Sequence, residues 1–171
     1  DHNQFILDKD GYSETQAIKS KYYSTLQSDH PSFWFAINYG TSNESGTLTY
    51  AAPKVNSGWY LPSTGQWLDV VTNLGGMSTS PTGYSAGNYY WYDSSGSIMY
   101  ASICAGNINN YLNAISKYST PDTFSNNNEY YWSSLECGQY ISYCANLATY
   151  GTYLCNEYKT KTFRVRACIA F

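Results

Sequence analysis

Two segments of the chain combine a helix-capping pattern with apolar residues at helical spacing. Ser13 and Ser63 are each followed three residues later by a glutamine and then by apolar positions. A serine hydroxyl accepts an unpaired backbone N–H at the start of a helix while the glutamine reaches back. The pattern therefore predicts helices over 13–26 and 63–74.

The end of the second helix and a third helix are also indicated by the sequence. Gly75 and Gly76 follow the second helix, and glycine readily adopts the left-handed conformation that closes a helix. Apolar residues recur at helical spacing between positions 108 and 117, which predicts a third helix there.

Other segments alternate in the way that strands do. Positions 33, 35, 37 and 39 are aromatic or aliphatic, which predicts a strand over 33–39. The runs 89–92 and 98–101 flank the turn-forming stretch 93–97, and they predict a hairpin.

The clearest alternation lies at the end of the chain. Residues 163–171 place apolar side chains on one side and arginines on the other, which predicts a central strand. Three shorter strand-like runs precede it, at 130–132, 141–144 and 153–155. Helices early and antiparallel strands late predict an α+β fold with two to three helices. Because no repeat or linker divides the chain, we expect a single domain over 1–171.

Composition excludes several classes of protein. The chain has 171 residues, of which 12% are charged and 18% are aromatic, with 20 tyrosines and a formal net charge of −3. Disordered chains have few aromatics and high net charge, so disorder is excluded. Nine lysines and arginines provide no basic face for nucleic acid. No apolar run approaches the ~20 residues of a membrane span.

The composition also indicates a location. A chain rich in tyrosine, asparagine, serine and threonine and poor in lysine is typical of extracellular proteins. Residues 1–3 lack the charged and apolar regions of a secretion signal, so we expect any signal to have been removed or to lie outside this sequence.

Groups that could carry catalysis or bind a metal are scarce. The two histidines, His2 and His30, lie far along the chain from the other candidate residues, and no nucleophile, phosphate-loop or zinc motif occurs. We therefore predict a protein that is not an enzyme and that holds no cofactor and no metal. The five cysteines are an odd number and cannot all pair within one chain.

One carboxylate lies in an aromatic, charge-poor stretch of the chain. Glu136 follows Trp132 closely, and a buried carboxylate there needs a partner. The favoured interpretation is a structural ion pair with Arg164 or Arg166; the alternative is an arginine that binds an anionic ligand.

Region 135–162 has the composition of a binding surface. It contains five tyrosines among small polar residues, the set used by antibody paratopes. Exposed tyrosines also stack on sugar rings. A packed core is an equally good explanation of these rings.

Five ordered segments carry a resemblance to a known family. The matching segments are Asp10-Gly11-Tyr12-Ser13-Glu14-Thr15-Gln16-Ala17-Ile18, Gly58-Trp59-Tyr60-Leu61-Pro62-Ser63-Thr64-Gly65-Gln66-Trp67, Ile108 to Ile115, Tyr131-Trp132-Ser133-Ser134-Leu135-Glu136 and Phe163 to Phe171. Together they resemble the C-type-lectin-like domains of secreted and fimbrial proteins of gut anaerobes. The match runs through most of residues 8–171.

The resemblance implies a C-type-lectin-like fold of antiparallel sheets with a ligand-presenting surface. In some members of the family, the region equivalent to 135–162 is varied by diversity-generating retroelements. The motifs of calcium-dependent sugar binding are absent, and Ala167-Cys168 replaces the usual Pro-Val. The resemblance therefore does not imply calcium-dependent binding of sugars.

The resemblance gives residues of the variable region a role in ligand binding. We expect Trp132 and Glu136, with Arg164 and Arg166, to be structural. The expected ligand-binding residues are Leu135, Cys137, Gln139, Tyr140, Ser142, Tyr143, Tyr150, Tyr153, Cys155, Asn156, Tyr158 and Thr160. A variable region accounts for the odd cysteine count without disulfides. The rival is a hairpin about 149–150, which sets Cys144 opposite Cys155 and permits a bridge.

We therefore predict an extracellular, cell-surface or pilus-associated adhesion module at a receptor-binding tip. Its expected partner is a host or bacterial surface protein or glycan. Further domains or pilus subunits can lie N-terminal to Asp1. The alternatives are a calcium-independent glycan-binding module, a copper enzyme of the formylglycine-generating type and a structural pilus subunit.

Overall fold

A computed structural model describes residues 7–39, 58–77, 83–85, 88–90, 101–114, 123–125, 129–148 and 151–169. Its helices are α1 (Gly11–Lys21), α2 (Leu26–Asp29), α3 (Pro31–Ile37), α4 (Thr64–Asp69) and α5 (Ala101–Ala114), and a π-helical turn (Val70–Leu74) continues α4. Its strands are β1 (Gly83–Ser85), β2 (Asn88–Tyr90), β3 (Glu129–Glu136), β4 (Ile141–Ala148) and β5 (Gly151–Tyr158). The α+β class is confirmed. The described part of the chain contains five α-helices, more than the two or three expected.

The first predicted helix begins earlier and ends earlier than expected. The carboxylate of Asp10, not the hydroxyl of Ser13, caps α1 by accepting the Ser13 backbone N–H at 3.0 Å. Helix α1 ends at Lys21, and a separate short helix, α2, begins at Leu26, the last residue of the predicted span. Gly11 permits the close approach of α1 to the next segment, since a Cβ there would lie 2.5 Å from the carbonyl oxygen of Leu61.

The predicted strand over 33–39 is wrong, because Pro31 begins helix α3 there. Proline suits the first position of a helix, where its missing N–H has no helical partner to lose. In the helix, Phe33 and Ala36 are buried three residues apart while Phe35 is 59% exposed. The aromatic side chains at every second position therefore do not share a buried face.

Helix α4 is confirmed, with its capping box. The Ser63 hydroxyl accepts the Gln66 N–H, and the Gln66 side chain accepts the Ser63 N–H at 3.0 Å. The predicted end is also correct: Gly76 has a φ of +74°, whereas Gly75 remains helical.

Helix α5 overlaps the third predicted helix but begins seven residues earlier, at Ala101 instead of Ile108. It ends at Ala114, and the last three residues of the predicted span, 115–117, lie outside the described residues. The predicted hairpin is described only in part. Strand β2 contains Tyr89 and Tyr90, Ala101 is helical rather than extended, and residues 91–100 lie outside the described residues.

The five strands form one antiparallel sheet in the order β1-β2-β5-β4-β3. The three short predicted runs lie within its long strands β3, β4 and β5. An irregularity between Trp132 and Glu136 shifts the pairing of β3 with β4.

The predicted central strand at the end of the chain is wrong. Residues 163–169 make isolated bridges, a parallel one between Arg164 and Tyr131 and an antiparallel one between Cys168 and Tyr60. Strand β3 is the edge of the sheet, and this segment bonds to that edge at Arg164 alone instead of joining the sheet as a full strand. Residues 170 and 171 lie outside the described residues. The alternating apolar residues of this segment nevertheless face the protein interior, because Phe163, Val165 and Ala167 pack against buried residues.

Hydrophobic cores cover both faces of the long strands. On one face lies the α4–α5 core, which consists chiefly of Trp67, Val71, Ile108, Phe124, Tyr131, Ala145, Leu147 and Leu154. On the other lies the α2–α3 core, which consists of Leu26, Phe33, Ala36, Leu61, Trp132, Cys144 and Cys155. Ala145 and Cys144 are neighbours on β4 that face opposite cores, as the alternation of a strand requires.

Candidate ligand-binding face

A disulfide joins the two strands of the β4–β5 hairpin. Cys144 lies directly opposite Cys155, their Cα atoms are 5.2 Å apart, and their sulfur atoms are bonded. The interpretation without disulfides is therefore wrong, and the cross-strand bridge is correct. Its expected turn residues, Thr149 and Tyr150, lie outside the described residues. The bridge fixes the register of the hairpin and hence the positions of its open ends.

Several of the expected ligand-binding residues lie inside the protein. Tyr143 and Cys155 are buried in the two cores, and Ser142 is buried with its hydroxyl donating to the Leu135 carbonyl at 2.9 Å. Tyr153 is half-buried, and its hydroxyl lies 2.6 Å from that of Tyr130. Burial raises the pKa of Tyr153, and this hydrogen bond raises it further by a smaller amount. These side chains hold the hairpin in place and present little surface.

Two tyrosines among the expected residues are largely exposed. Tyr140 is 68% exposed and Tyr158 is 60% exposed. They are brought together at the open end of the hairpin, where Tyr158 pairs with Ile141 and the Lys159 N–H donates to the Tyr140 carbonyl at 2.9 Å. We call Tyr140 and Tyr158 the tyrosine pair. Of the other expected residues, Cys137, Gln139 and Thr160 are exposed, and Leu135 and Asn156 are half-buried.

The ion pairs differ from the predicted ones. Glu136 pairs with Lys159 on the neighbouring segment after β5, not with an arginine. Arg164 pairs with Glu129 at the other end of β3. The guanidinium of Arg166 lies 4.3 Å from the centre of the Phe124 ring. Because Glu136 is exposed, its carboxylate does not lose its hydration and needs no arginine partner. Lys159 forms the ion pair instead.

A cleft of about 220 Å³ opens beside this ion pair. Its apolar walls are formed by Phe33, Trp132, Phe163 and Val165, and we call it the aromatic cleft. The charged side chains of Asp29, Glu136, Lys159 and Lys161 also line it, together with His30. The half of the cleft that comes from α2 and α3 was missed, because residues 33–39 were assigned to a strand. Pro31 was the signal for a helix start.

The walls of the aromatic cleft are fixed by ring contacts. The ring centroids of Trp132 and Phe163 lie 4.6 Å apart. Phe163 in turn stacks on Tyr130 at 4.6 Å, with the ring planes 15° apart. The ring centroids of His30, another lining residue, and Tyr22 lie 4.3 Å apart. The cleft is therefore largely formed before any ligand enters it.

The carboxylate of Glu14, in the first turn of α1, contacts the irregular part of β3. The hydroxyl of Ser134 donates to the carboxylate of Glu14. Burial, together with the nearby carboxylates of Asp8 and Asp10, raises the pKa of Glu14 to about 7, although the bond from Ser134 opposes this shift. Ser134 lies two residues before Glu136, so Glu14 holds the strand that leads to the candidate face.

Within the described ranges, no group of three or more histidine, cysteine or acidic side chains is placed to hold a metal ion. No helix in that part of the chain is long and apolar enough to cross a membrane.

Comparisons with known proteins identify a similar fold. No protein-family model matches the chain, and no curated protein matches it. A solved fimbrial protein from Bacteroides ovatus matches with a TM-score of 0.56 at 18% sequence identity. The match covers 99% of this chain and 26% of the fimbrial protein, so the chain spans about a quarter of that protein's length. At this identity the comparison establishes a shared fold.

Proposed function

We propose that the protein is an extracellular ligand-binding module of the adhesion class, located at the cell surface or at the receptor-binding tip of a pilus. The fold shared with part of a fimbrial protein supports a pilus-related role. The observation that carries the proposal is the tyrosine pair, two exposed aromatic rings at the end of a hairpin whose register a disulfide fixes.

The proposal includes a C-type-lectin-like fold. The segments that resemble that family contact one another in space. The Leu61 N–H donates to the Thr15 hydroxyl at 3.1 Å, and the Ser134 N–H donates to the Pro62 carbonyl at 2.9 Å. Tyr60 and Cys168 exchange two backbone hydrogen bonds. This meeting of the entry, central and closing segments supports one common scaffold for the family and this chain.

An exposed tyrosine is well suited to contact a partner. A tyrosine ring offers a large contact area with little rotamer entropy to lose on binding, and its hydroxyl supplies a hydrogen bond. Tyr140 and Tyr158 have few intramolecular contacts to lose, because most of each ring faces solvent. They are the best placed of the expected residues to anchor a partner.

Diversification by a retroelement forms a further part of the proposal. If the region 135–162 is varied, its buried positions have to be spared, because core substitutions destabilise the fold. Sequencing the last part of the gene in a source population tests this. We expect substitutions at exposed positions such as Gln139, Tyr140, Tyr158 and Thr160, with Cys144 and Cys155 unchanged. An invariant region in all cells would overturn it.

The adhesion role is tested with a double substitution of the tyrosine pair. Tyr140→Ala with Tyr158→Ala should abolish the binding of labelled protein to cells of its source community. The melting temperature should stay within about 2–4 °C, because surface substitutions change stability by roughly 0.5 kcal/mol. Tyr23→Ala is the matched control, since Tyr23 is 79% exposed and lies outside the hairpin. Equal binding by the double variant and the wild type contradicts the proposal.

A calcium-independent glycan-binding module is the second candidate. The tyrosine pair favours it as well, because exposed rings stack on the apolar faces of sugars. Binding on a glycan array in the presence of a chelator, lost with the double substitution, would select this candidate.

A further inference from the structure

We propose that Lys159 is a positioning residue for the tyrosine pair, and that its ion pair with Glu136 makes ligand binding at this face depend on ionic strength. The proposal rests on the adhesion role proposed above and names a physical control on the same site. It concerns the segment 137–140 between β3 and β4, which we call the β3–β4 loop and which ends in Tyr140.

The end of β3 that leads into the β3–β4 loop is weakly joined to the sheet. Its pairing with β4 is interrupted between Trp132 and Glu136. In that stretch the Ser134 N–H donates to the Pro62 carbonyl at 2.9 Å instead of to β4. Segments with few hydrogen bonds to the rest of the fold open more easily. The β3–β4 loop therefore depends on contacts outside the pairing of β3 with β4.

Lys159 contacts the chain at both ends of the β3–β4 loop. Its backbone N–H donates to the carbonyl of Tyr140 at 2.9 Å. Its ammonium group pairs with the carboxylate of Glu136, the last residue of β3. Because Tyr158 directly precedes Lys159 in the chain, the contacts that hold Tyr140 also hold it near Tyr158. A single residue thus connects the two members of the tyrosine pair.

The segment that carries Lys159 is fixed independently of the β3–β4 loop. The Lys161 N–H donates to the Tyr158 carbonyl at 2.9 Å, which closes a turn directly after β5. Strand β5 pairs with β4 along its whole length, and the Cys144–Cys155 bridge joins the same two strands. Lys159 therefore ties a weakly held loop to the disulfide-bridged part of the hairpin.

The exposure of the ion pair makes its strength depend on salt. The side chains of Glu136 and Lys159 are both exposed, and dissolved ions screen charges in solvent. An exposed pair contributes little to global stability, so the fold should survive its loss. Holding Tyr140 in one position still lowers the ordering entropy that a partner has to overcome on binding. Affinity should therefore fall as the ionic strength rises, while stability hardly changes.

The first test needs no ligand and follows amide hydrogen exchange by NMR. Lys159→Met removes the charge and retains a long side chain. It should lower the protection factors of the Lys159 and Gly138 amides roughly threefold and leave those of α5 unchanged. Lys159→Arg should restore them. Lys161→Met is the matched control, because Lys161 is exposed and forms no ion pair with any described residue.

The second test measures the binding of labelled protein to cells of its source community at low and high salt. Lys159→Met and Glu136→Gln should each weaken binding roughly threefold at about 0.01 M salt, and together no further, because both break the same pair. At about 1 M salt the wild type and the variants should bind equally. The exchanged pair, Glu136→Lys with Lys159→Glu, should restore binding at low salt.

The outcomes separate this proposal from the adhesion role. Unchanged protection factors in Lys159→Met, additive losses of binding, or losses that persist at high salt overturn the positioning role. In each case, cell binding that still depends on Tyr140 and Tyr158 leaves the adhesion role in place. Cell binding that is insensitive to Tyr140→Ala and Tyr158→Ala overturns the adhesion role instead, whereas the protection factors still report whether Lys159 holds the β3–β4 loop.

Discussion

The two faces of the long strands are covered to different degrees. On the α4–α5 side, Trp67, Leu147 and Leu154 are almost completely buried. On the α2–α3 side, Trp132 is buried, but its neighbours Phe163 and Val165 are only half-buried and border a cleft. One sheet therefore has a closed face and an open face.

The difference suggests a division of labour between the faces. A closed core provides most of the free energy of unfolding, because burial of apolar area is the main favourable contribution to folding. An open face keeps aromatic surface available for a partner and gives up some of that contribution. The Cys144–Cys155 bridge lies on the open side, where it stabilises the face that buries less apolar area.

The largest expected effect is on the closed face. Trp67→Ala removes a buried ring and its indole hydrogen bond to the Trp132 carbonyl, which is 3.2 Å long. We expect a loss of about 3–5 kcal/mol in the free energy of unfolding, measured by denaturant titration. Phe35→Ala on the open face should cost under about 0.5 kcal/mol. Similar losses for both substitutions would contradict the comparison.

The disulfide should have a smaller effect, concentrated on the open face. Replacing Cys144 and Cys155 by alanine should cost about 2–3 kcal/mol, as expected for a bridge between residues 11 apart in sequence. Hydrogen exchange should increase more in α3 than in α5. Cys137→Ala, which removes an exposed free thiol, serves as the control and should change neither quantity. Uniform acceleration of exchange in both helices would contradict the assignment of the bridge to one side.

The smallest expected effect is a pH dependence at the edge of the sheet. The pKa of Glu14 is raised from 4.5 to about 7 in the folded protein, so the folded state binds the proton more tightly than the unfolded state. Its stabilising contribution is complete below pH 4.5 and is lost as the pH rises through 7. Because the carboxyl is only half-buried, we expect a change of about 1 kcal/mol.

Glu14→Gln should remove this dependence, measured as the change in unfolding free energy between pH 5 and pH 8. Glu157→Gln is the control, because it replaces another half-buried glutamate, which lies on β5, two strands away from the β3 residue that Glu14 contacts. Persistence of the slope in Glu14→Gln would show that a different group causes it.

The parts of the fold that were predicted correctly depend on local interactions. The capping box of α4 is formed between residues three apart, and the strands β3 to β5 were indicated by runs of aromatic and branched residues. The errors arose where local patterns were ambiguous. Phe33 to Tyr39 fits a strand by its alternation, and only Pro31 and the packing of Phe33 and Ala36 favour a helix.

The sequence predicted the region of the candidate ligand-binding face but not which of its residues are exposed. Composition located Tyr140 and Tyr158 but did not distinguish them from the buried Tyr143, because burial depends on which strand faces which core. The partner of Glu136 also depends on tertiary structure, since Lys159 approaches it from the end of another strand. The aromatic cleft joins segments about a hundred residues apart in the chain, which no local pattern indicates.

The surroundings of Cys104 and Cys168, two of the three cysteines outside the bridge, protect the bridge from reshuffling. Exchange requires attack by a thiolate. Burial raises the pKa of the Cys168 thiol to about 11, so at neutral pH roughly one molecule in ten thousand carries the reactive form. Cys104 is buried without access to an oxidant. In the folded protein, Cys137 is the one solvent-exposed thiol in the described ranges, and any dimer formed on prolonged storage in air should be linked through it.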